Sequence, residues 1–364
     1  MARASCGLKI LPSSPWAGVD EVHRIKLGSH ALTESTLAIV LFVLLVSLAL
    51  PLVLRPVLNR LGVVDLPNDR SSHTVPAVRG VGVAPMLALA AGAALLLVLF
   101  GWTSPWSSLL VCLGTSIVAA VIGLVEDVRG IPTRVRLILQ LGIGLVGAVA
   151  IAMVAGDGYA WIPFGALAIA VYINAANFMD GIDGMSGLHG VVVGGSFALI
   201  GVLVGQDWLL VGGALLAAAF LGFLPWNVLR GRMFLGDTGS YLLGALVSGL
   251  AFAAFVEGVS PIALAAPVSL YLADTGSTIL RRMRAGEPWL EAHRSHVYQR
   301  LTDKGLSHVQ VSSLVAAGSL LAGLAGTLSL SGSLPLTALS VVLIGVIVTA
   351  YLRSAAPERP QALA

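Results

Sequence analysis

Long apolar runs alternate with short polar stretches along most of this chain. A helix needs about 20 mostly apolar residues to cross a bilayer. Eleven runs answer to that description, near 37–56, 83–101, 107–125, 135–155, 160–176, 188–205, 208–225, 240–256, 260–279, 309–331 and 334–352. The run at 160–176 is short enough to be re-entrant instead. The pattern predicts an all-α, polytopic membrane protein with about 11 transmembrane helices over residues 36–353. A tail at 1–35 and a short one at 354–364 flank it.

Composition agrees with the pattern. Of the 364 residues, 57% are hydrophobic and 11% charged, against about 25% charged in a soluble domain. One soluble core cannot absorb so much apolar sequence, so the solvent is lipid. The two cysteines, Cys6 and Cys112, make no disulfide framework. The first run starts too late for an ordinary signal peptide. The net charge of +3 becomes informative once the charges are placed. Loops after odd-numbered runs and their flanks hold the basic residues, among them Arg60, Arg79, Arg129, Arg230, Arg284 and Arg300. Loops after even-numbered runs hold no Lys or Arg, only Asp157, Asp207 and Glu257. By the positive-inside rule the odd-run loops face the cytoplasm. The N-terminus is then outside, although residues 1–35 carry Arg3, Lys9, Arg24 and Lys26. That segment has no periodicity, reads as a disordered tail or as an extension from a mis-assigned start codon, and is assigned no catalytic role.

With sidedness set, the acids gather at one face. Glu126 and Asp127 end the third run in "GLVEDVRGIPTR"; "NAANFMDGIDGMSG" carries Asn174, Asn177, Asp180 and Asp183; Asp237 lies in "MFLGDTGS" before the eighth run, and Asp274 near the inner end of the ninth. Carboxylates at helix ends are often solvated or paired with nearby arginines, and for Asp274, close to Arg281 and Arg282, that reading is favoured. Three acidic clusters at three inner ends point further, to a hard cation. Mg²⁺ takes oxygen ligands, binding one or two carboxylates plus substrate phosphates. The loop "RRMRAGEPWLEAHRSHVYQRLTDKG" adds arginines with His293 and His296, groups suited to phosphate. The i, i+3 histidines permit a metal pair, but no cysteine or third histidine accompanies them, which speaks against zinc. The polar loop "DLPNDRSSHTVPAVRGVG" can fold over the same face. A cation site with phosphate-binding groups at a lipid interface fits phosphoryl transfer between a cytosolic nucleotide-sugar and a lipid phosphate.

Five motifs in order, "DLPNDRSSHTVPAVRG", "GLVEDVRG", "NAANFMDGIDG", "PWNVLRGRMFLGDTGS" and "EAHRSHVYQRL", resemble those of the polyprenyl-phosphate N-acetylhexosamine-1-phosphate transferases, glycosyltransferase family 4. The resemblance runs from about residue 60 to 305. It implies Mg²⁺, with Mn²⁺ as a substitute, held by Asp237 and Asp127. It gives catalytic roles to Glu126, Asp127, Asp180, Asp183, His293 and His296. It gives substrate contacts to His73, Arg134, Arg136, Asn174, Asn177, Asn227, Phe234 and Arg294, with Asn227 and Phe234 near the uracil. Most relatives carry Asp-Asp where this chain has Glu126-Asp127, which keeps the charge and moves the first carboxylate by one methylene. The "HRSH" pattern in place of three histidines looks like the enzymes that initiate O-antigen or related polysaccharide chains. The implied partners are a UDP-N-acetylhexosamine and undecaprenyl phosphate in the bacterial inner membrane, with no nucleic acid, and a homodimer is compatible with the family. Two competing readings are a transporter, whose polar groups belong nearer the bilayer midplane, and a non-catalytic relative, which the change at Glu126 keeps open.

Overall fold

The computed structural model describes residues 33–60, 62, 64–65, 77–229, 233–288 and 293–355. The expectations for His73, and for most of each tail, lie outside these residues. Among those described, eleven helical stretches are long and apolar enough to cross a membrane. The first four are α1 (Glu34–Arg60), α2 (Val83–Phe100), α3 (Trp106–Arg129) and α4 (Thr133–Ala155). A 3-10 turn then runs into α5 (Ile162–Met179), followed by α6 (Met185–Val204), α7 (Asp207–Val228) and α8 (Gly236–Val256). A short α9 (Pro261–Ala265) continues through a 3-10 turn into α10 (Ser269–Arg284) as one span. After α11 (Val297–Asp303), a helix too short to cross, come α12 (His308–Gly326) and α13 (Leu334–Ser354). A two-residue antiparallel pair, β1 (Val64–Asp65) and β2 (Ala77–Val78), is joined by an isolated bridge from Val78 to Met233.

All eleven predicted spans are present, and the short run near 160–176 is part of a continuous stretch, Tyr159–Met179. The informative difference lies at the Arg-rich end. There α3 continues past its apolar run through Glu126 and Asp127 to Arg129, α8 begins at Gly236 and so includes Asp237, and α10 runs on to Arg284. Glu126, Asp127 and Asp237 therefore sit on helix ends, while Asp180 and Asp183 lie in the loop between α5 and α6. Hydropathy cannot detect this extension, because helix here is maintained by partners for the terminal backbone groups rather than by lipid.

The bundle is centred on α8. Its span is 83% buried, whereas that of α13 is 11% buried and faces lipid along most of its length. Close approach is made by small residues, as expected where both helix partners and lipid are apolar. Gly194 of α6 lies against the backbone of Gly213 and Ala217 on α7. Gly123 of α3 faces the main-chain carbonyl of Asp237 on α8, with no room for a side-chain carbon between them. At the opposite end of the bundle Trp102, Tyr159 and Trp161 are exposed, and Trp161 meets Phe255 edge-on at 5.1 Å. Aromatic residues favour such interfacial levels.

The α3–α8 contact yields a first prediction. Gly123→Ala should destabilise the purified protein by about 1–3 kcal/mol, because the new methyl must displace main chain. The thermal transition in detergent measures this, and an unchanged transition would mean that the helices can separate at no cost.

Candidate active site

The site is built where α3 ends and α8 begins. The Asp127 side chain is fully buried. Its Oδ1 accepts the Asp237 backbone N–H at 2.9 Å, and its Oδ2 accepts the Thr238 N–H at 2.9 Å and the Thr238 hydroxyl at 2.7 Å. These are first-turn amides of α8, which have no partner within their own helix. A carboxylate there also meets the positive end of the helix dipole. Gly236 makes the approach possible: its φ is +72°, and a β-carbon on it would lie 2.6 Å from Asp127 Oδ2.

Arg79 closes the arrangement. Its Nε pairs with Asp127 Oδ1 at 2.9 Å and a terminal nitrogen with Asp237 Oδ2 at 3.1 Å. The guanidinium is aimed by main chain. Phe234 N–H donates to the Val78 carbonyl at 2.8 Å, Val81 N–H to that of Phe234 at 3.1 Å, and Gly82 N–H to that of Leu235 at 2.9 Å. The segment carrying Arg79 is thus laced to the segment that enters α8. Asp237 Oδ1 accepts the Asn177 amide at 2.5 Å, and the same amide lies 3.1 Å from the Ser240 hydroxyl.

Beside this core, Glu126 pairs with Arg136 at 3.1 Å through Oε1, while its buried Oε2 accepts no hydrogen bond from the described residues. Asn174 donates to Gln140 at 2.6 Å. Arg134 is exposed. Asn227 is buried and braces two strands of the site: its oxygen accepts the Gly184 N–H at 2.5 Å, and its amide donates to the Met233 carbonyl at 3.0 Å. Phe234 is half-buried in the laced segment.

The loop between α5 and α6 carries Asp180 and Asp183. Desolvation pushes the Asp180 carboxyl up to about 7; the Ser186 hydroxyl opposes this, the Asp237 charge adds to it, Arg79 opposes it and Asp127 adds again. Asp183 instead reaches His308 at 3.2 Å. The histidine loop docks on the last turn of α5 through Tyr298, whose hydroxyl donates to the Phe178 carbonyl at 3.0 Å. The rings of His293 and His296 stack with centroids 5.0 Å apart, and Phe178 stands 6.4 and 6.2 Å from them. Arg294 pairs at 2.8 Å with Asp303.

Comparison with known proteins follows the same lines. The sequence pattern of glycosyl transferase family 4 matches residues 109–255. The chain is 30% identical over 297 residues to the decaprenyl-phosphate N-acetylglucosaminephosphotransferase of Mycolicibacterium smegmatis, covering 68% of this chain and 71% of that one. The chain belongs to glycosyl transferase family 4. It is also 27% identical over 289 residues to the probable undecaprenyl-phosphate N-acetylglucosaminyl 1-phosphate transferase of Bacillus subtilis (72% and 77% covered). To the undecaprenyl-phosphate alpha-N-acetylglucosaminyl 1-phosphate transferase of Escherichia coli it is 29% identical over 305 residues (76% and 78%).

In this family member one sequence reading is corrected. Asp274 is not paired with Arg281 or Arg282. It accepts from His296 Nδ1 at 3.2 Å and from the Val297 N–H at 2.8 Å. The arginines turn elsewhere, Arg281 to the Ser295 carbonyl and Arg282 to Glu287 at 2.7 Å. Proximity along a helix misled here, because the loop after α10 folds back and brings unsatisfied amides to the carboxylate. Arg79 and His308 are the partners that sequence reasoning missed as site residues. Arg79 was visible in "PAVRG", but its charge was absorbed by the sidedness pattern. His308 carries no local motif.

Among the described residues no group of three or more His, Cys, Asp or Glu side chains is placed to hold a metal on its own. Magnesium asks for less, since waters and substrate phosphates complete its shell. The open Oε2 of Glu126 and the carboxylate of Asp237 fit that role. Asp127, with no side-chain exposure, carries four donors on its two oxygens, whereas each oxygen of Asp237 carries one, so Asp127 fits as the brace behind them.

The Asp180 shift gives a pH prediction. In the folded protein this carboxyl keeps its proton to about pH 7, against an ordinary value of 3.8. The folded state then binds more protons than the unfolded chain between those values, and this group lowers stability as pH rises through that window. Asp180→Asn should flatten the fall in Tm between pH 4 and pH 7 in the absence of divalent cations. An unaltered pH profile would place the carboxylate in a well-solvated setting.

Proposed function

We propose that this protein transfers an N-acetylhexosamine-1-phosphate from a UDP-sugar to undecaprenyl phosphate at the cytoplasmic face of the bacterial inner membrane, releasing UMP and starting O-antigen or another cell-envelope polysaccharide. The observation that carries the reading is the Arg79-bridged pair of Asp127 and Asp237 at the start of α8, at the Arg-rich end of a membrane bundle. The named activities of the three relatives support the reaction class.

In the proposed step an oxygen of the lipid phosphate bonds to the β-phosphorus of the UDP-sugar. The bond from that phosphorus to the bridging oxygen breaks, and UMP leaves with the electron pair. A phosphate monoester is largely ionised near pH 7, so the nucleophile needs orientation more than deprotonation. Asp237 and Glu126 would hold Mg²⁺, which when bound neutralises the pyrophosphate; Mn²⁺ is the natural substitute. Asp127 keeps Asp237 and Arg79 in place. Arg136, Asn174 and Asn177 line the neighbouring helix ends, and the stacked pair His293 and His296 offers donors to the diphosphate. Asn227 shapes the nucleotide end by fixing Gly184 and Met233.

UMP release by purified protein in detergent, with undecaprenyl phosphate, Mg²⁺ and a panel of UDP-N-acetylhexosamines, tests the reading. Turnover with one donor, lost with chelator and in Asp237→Asn, is expected. Wild-type turnover in Asp237→Asn would remove that residue from the metal site, and no turnover with any donor would overturn the proposal. Arg79→Gln should lower kcat/KM by roughly 10²-fold, because two carboxylates then face each other without their shared cation. A variant within twofold of wild type would make Arg79 a sidedness charge only.

A further inference from the structure

The last span is tied to the site by one buried contact. Along α13, Ser340 and Tyr351 are the buried side chains, while Ile344, Ile347, Val348 and Leu352 pack half-buried against the core and most of the other face is exposed. Tyr351 lies in its final turn. Its hydroxyl donates to Asp274 Oδ2 at 2.7 Å. The same carboxylate accepts the N–H groups of Val297 and Tyr298 at 2.8 and 3.2 Å and His296 Nδ1 at 3.2 Å. Asp274 is 0% exposed and Tyr351 5%. The carboxylate therefore caps the start of α11, orients the His296 ring, and is itself held by the final turn of a helix whose other buried contacts are apolar apart from Ser340. Lys304 adds a second link to that turn, reaching the Ser354 carbonyl at 3.4 Å.

From this geometry we infer that Tyr351 is a positioning residue for the histidine loop, acting through Asp274, so that the eleventh span helps to set the active site. The Thr278 hydroxyl adds a fifth donor at 3.4 Å from within α10. A buried carboxylate so surrounded has one preferred orientation; with the Tyr351 hydroxyl removed, one oxygen loses a charge-assisted bond. The amides that define the first turn of α11 are then held less firmly, and with them the ring at His296 and its stacked neighbour His293. The functional part of the inference rests on the transferase reading; the structural part does not.

Two readouts on the full chain in detergent keep these separable. Hydrogen exchange of residues 293–303 reports on the loop, and steady-state UMP release with a UDP-N-acetylhexosamine, undecaprenyl phosphate and Mg²⁺ reports on turnover. Tyr351→Phe keeps the ring and its packing. It should speed exchange in the loop about tenfold, the scale of one lost bond to a charged group. It should also lower kcat about tenfold with KM for the lipid unchanged. Ser340→Ala, the other buried polar position of α13, should alter neither. In an Asp274→Asn background, Tyr351→Phe should add less than twofold to loop exchange. Unchanged loop exchange in Tyr351→Phe would overturn the inference. So would an equal effect from Ser340→Ala, which would mean general loosening of α13, or full additivity with Asp274→Asn. Loop exchange that responds while kcat does not would overturn the positioning role. If wild-type protein releases no UMP with any donor, the transferase reading fails, and the exchange arm still decides the Tyr351–Asp274 coupling.

Discussion

A carboxylate with no solvent exposure, in a bundle whose outer surface faces lipid, must be matched by donors or it costs several kcal/mol. Asp127 meets that condition by closing on the first turn of α8 and on Arg79. The match serves both parties, because the amides at the start of α8 also lack partners of their own. The position of Asp237 follows directly, since its own N–H is one of the bonds. So does the lacing of residues 78–82 to 234–235, which delivers the guanidinium. Arg79, Asp127 and Asp237 come from three distant stretches of sequence, yet each is placed by the other two.

The same device recurs twice at this end of the bundle. Asn227, in the last turn of α7, accepts the Gly184 N–H just before α6. Asp274 of α10 accepts the first amides of α11. In each case a polar side chain on one helix satisfies the beginning of another. Such caps across helices replace the local Ser or Thr caps common in soluble proteins, and they bind the order of the helices to the geometry of the site. Residues that a motif reading assigns to substrate contact therefore have a prior structural duty. For Asp127 and Asn227 that duty takes up the atoms a ligand would want, while Glu126 Oε2 has no donor and the Asp237 oxygens carry one each, which leaves these two better placed to serve both ends.

The spans were legible because the constraint that sets them is simple: lipid demands about 20 apolar residues and full internal satisfaction of the backbone. Sequence also located the acidic motifs, since charges at membrane helix ends stand out against their surroundings. Partner choice was not legible. Asp274 next to Arg281 and Arg282 looked like an ordinary ion pair, and only the return of the chain at Val297 shows otherwise. Arg79 was counted among the positive-inside charges, a statistical pattern that hides an individual role. His308, with its bond to Asp183, belongs to a helix whose sequence otherwise reads as a membrane span.

The contact of Gly123 with the Asp237 carbonyl has a mechanical meaning. Where two helices touch through main chain, nothing between them can rotate to another rotamer, so the joint has no soft element. The distance between the acids of α3 and those of α8 is then a property of the scaffold, as fixed as the pitch of a screw. Substitutions on the lipid-facing side of α3 can drift without disturbing it. Tuning of the site is left to the pieces held by side chains: the loop of Asp180 and the histidine loop.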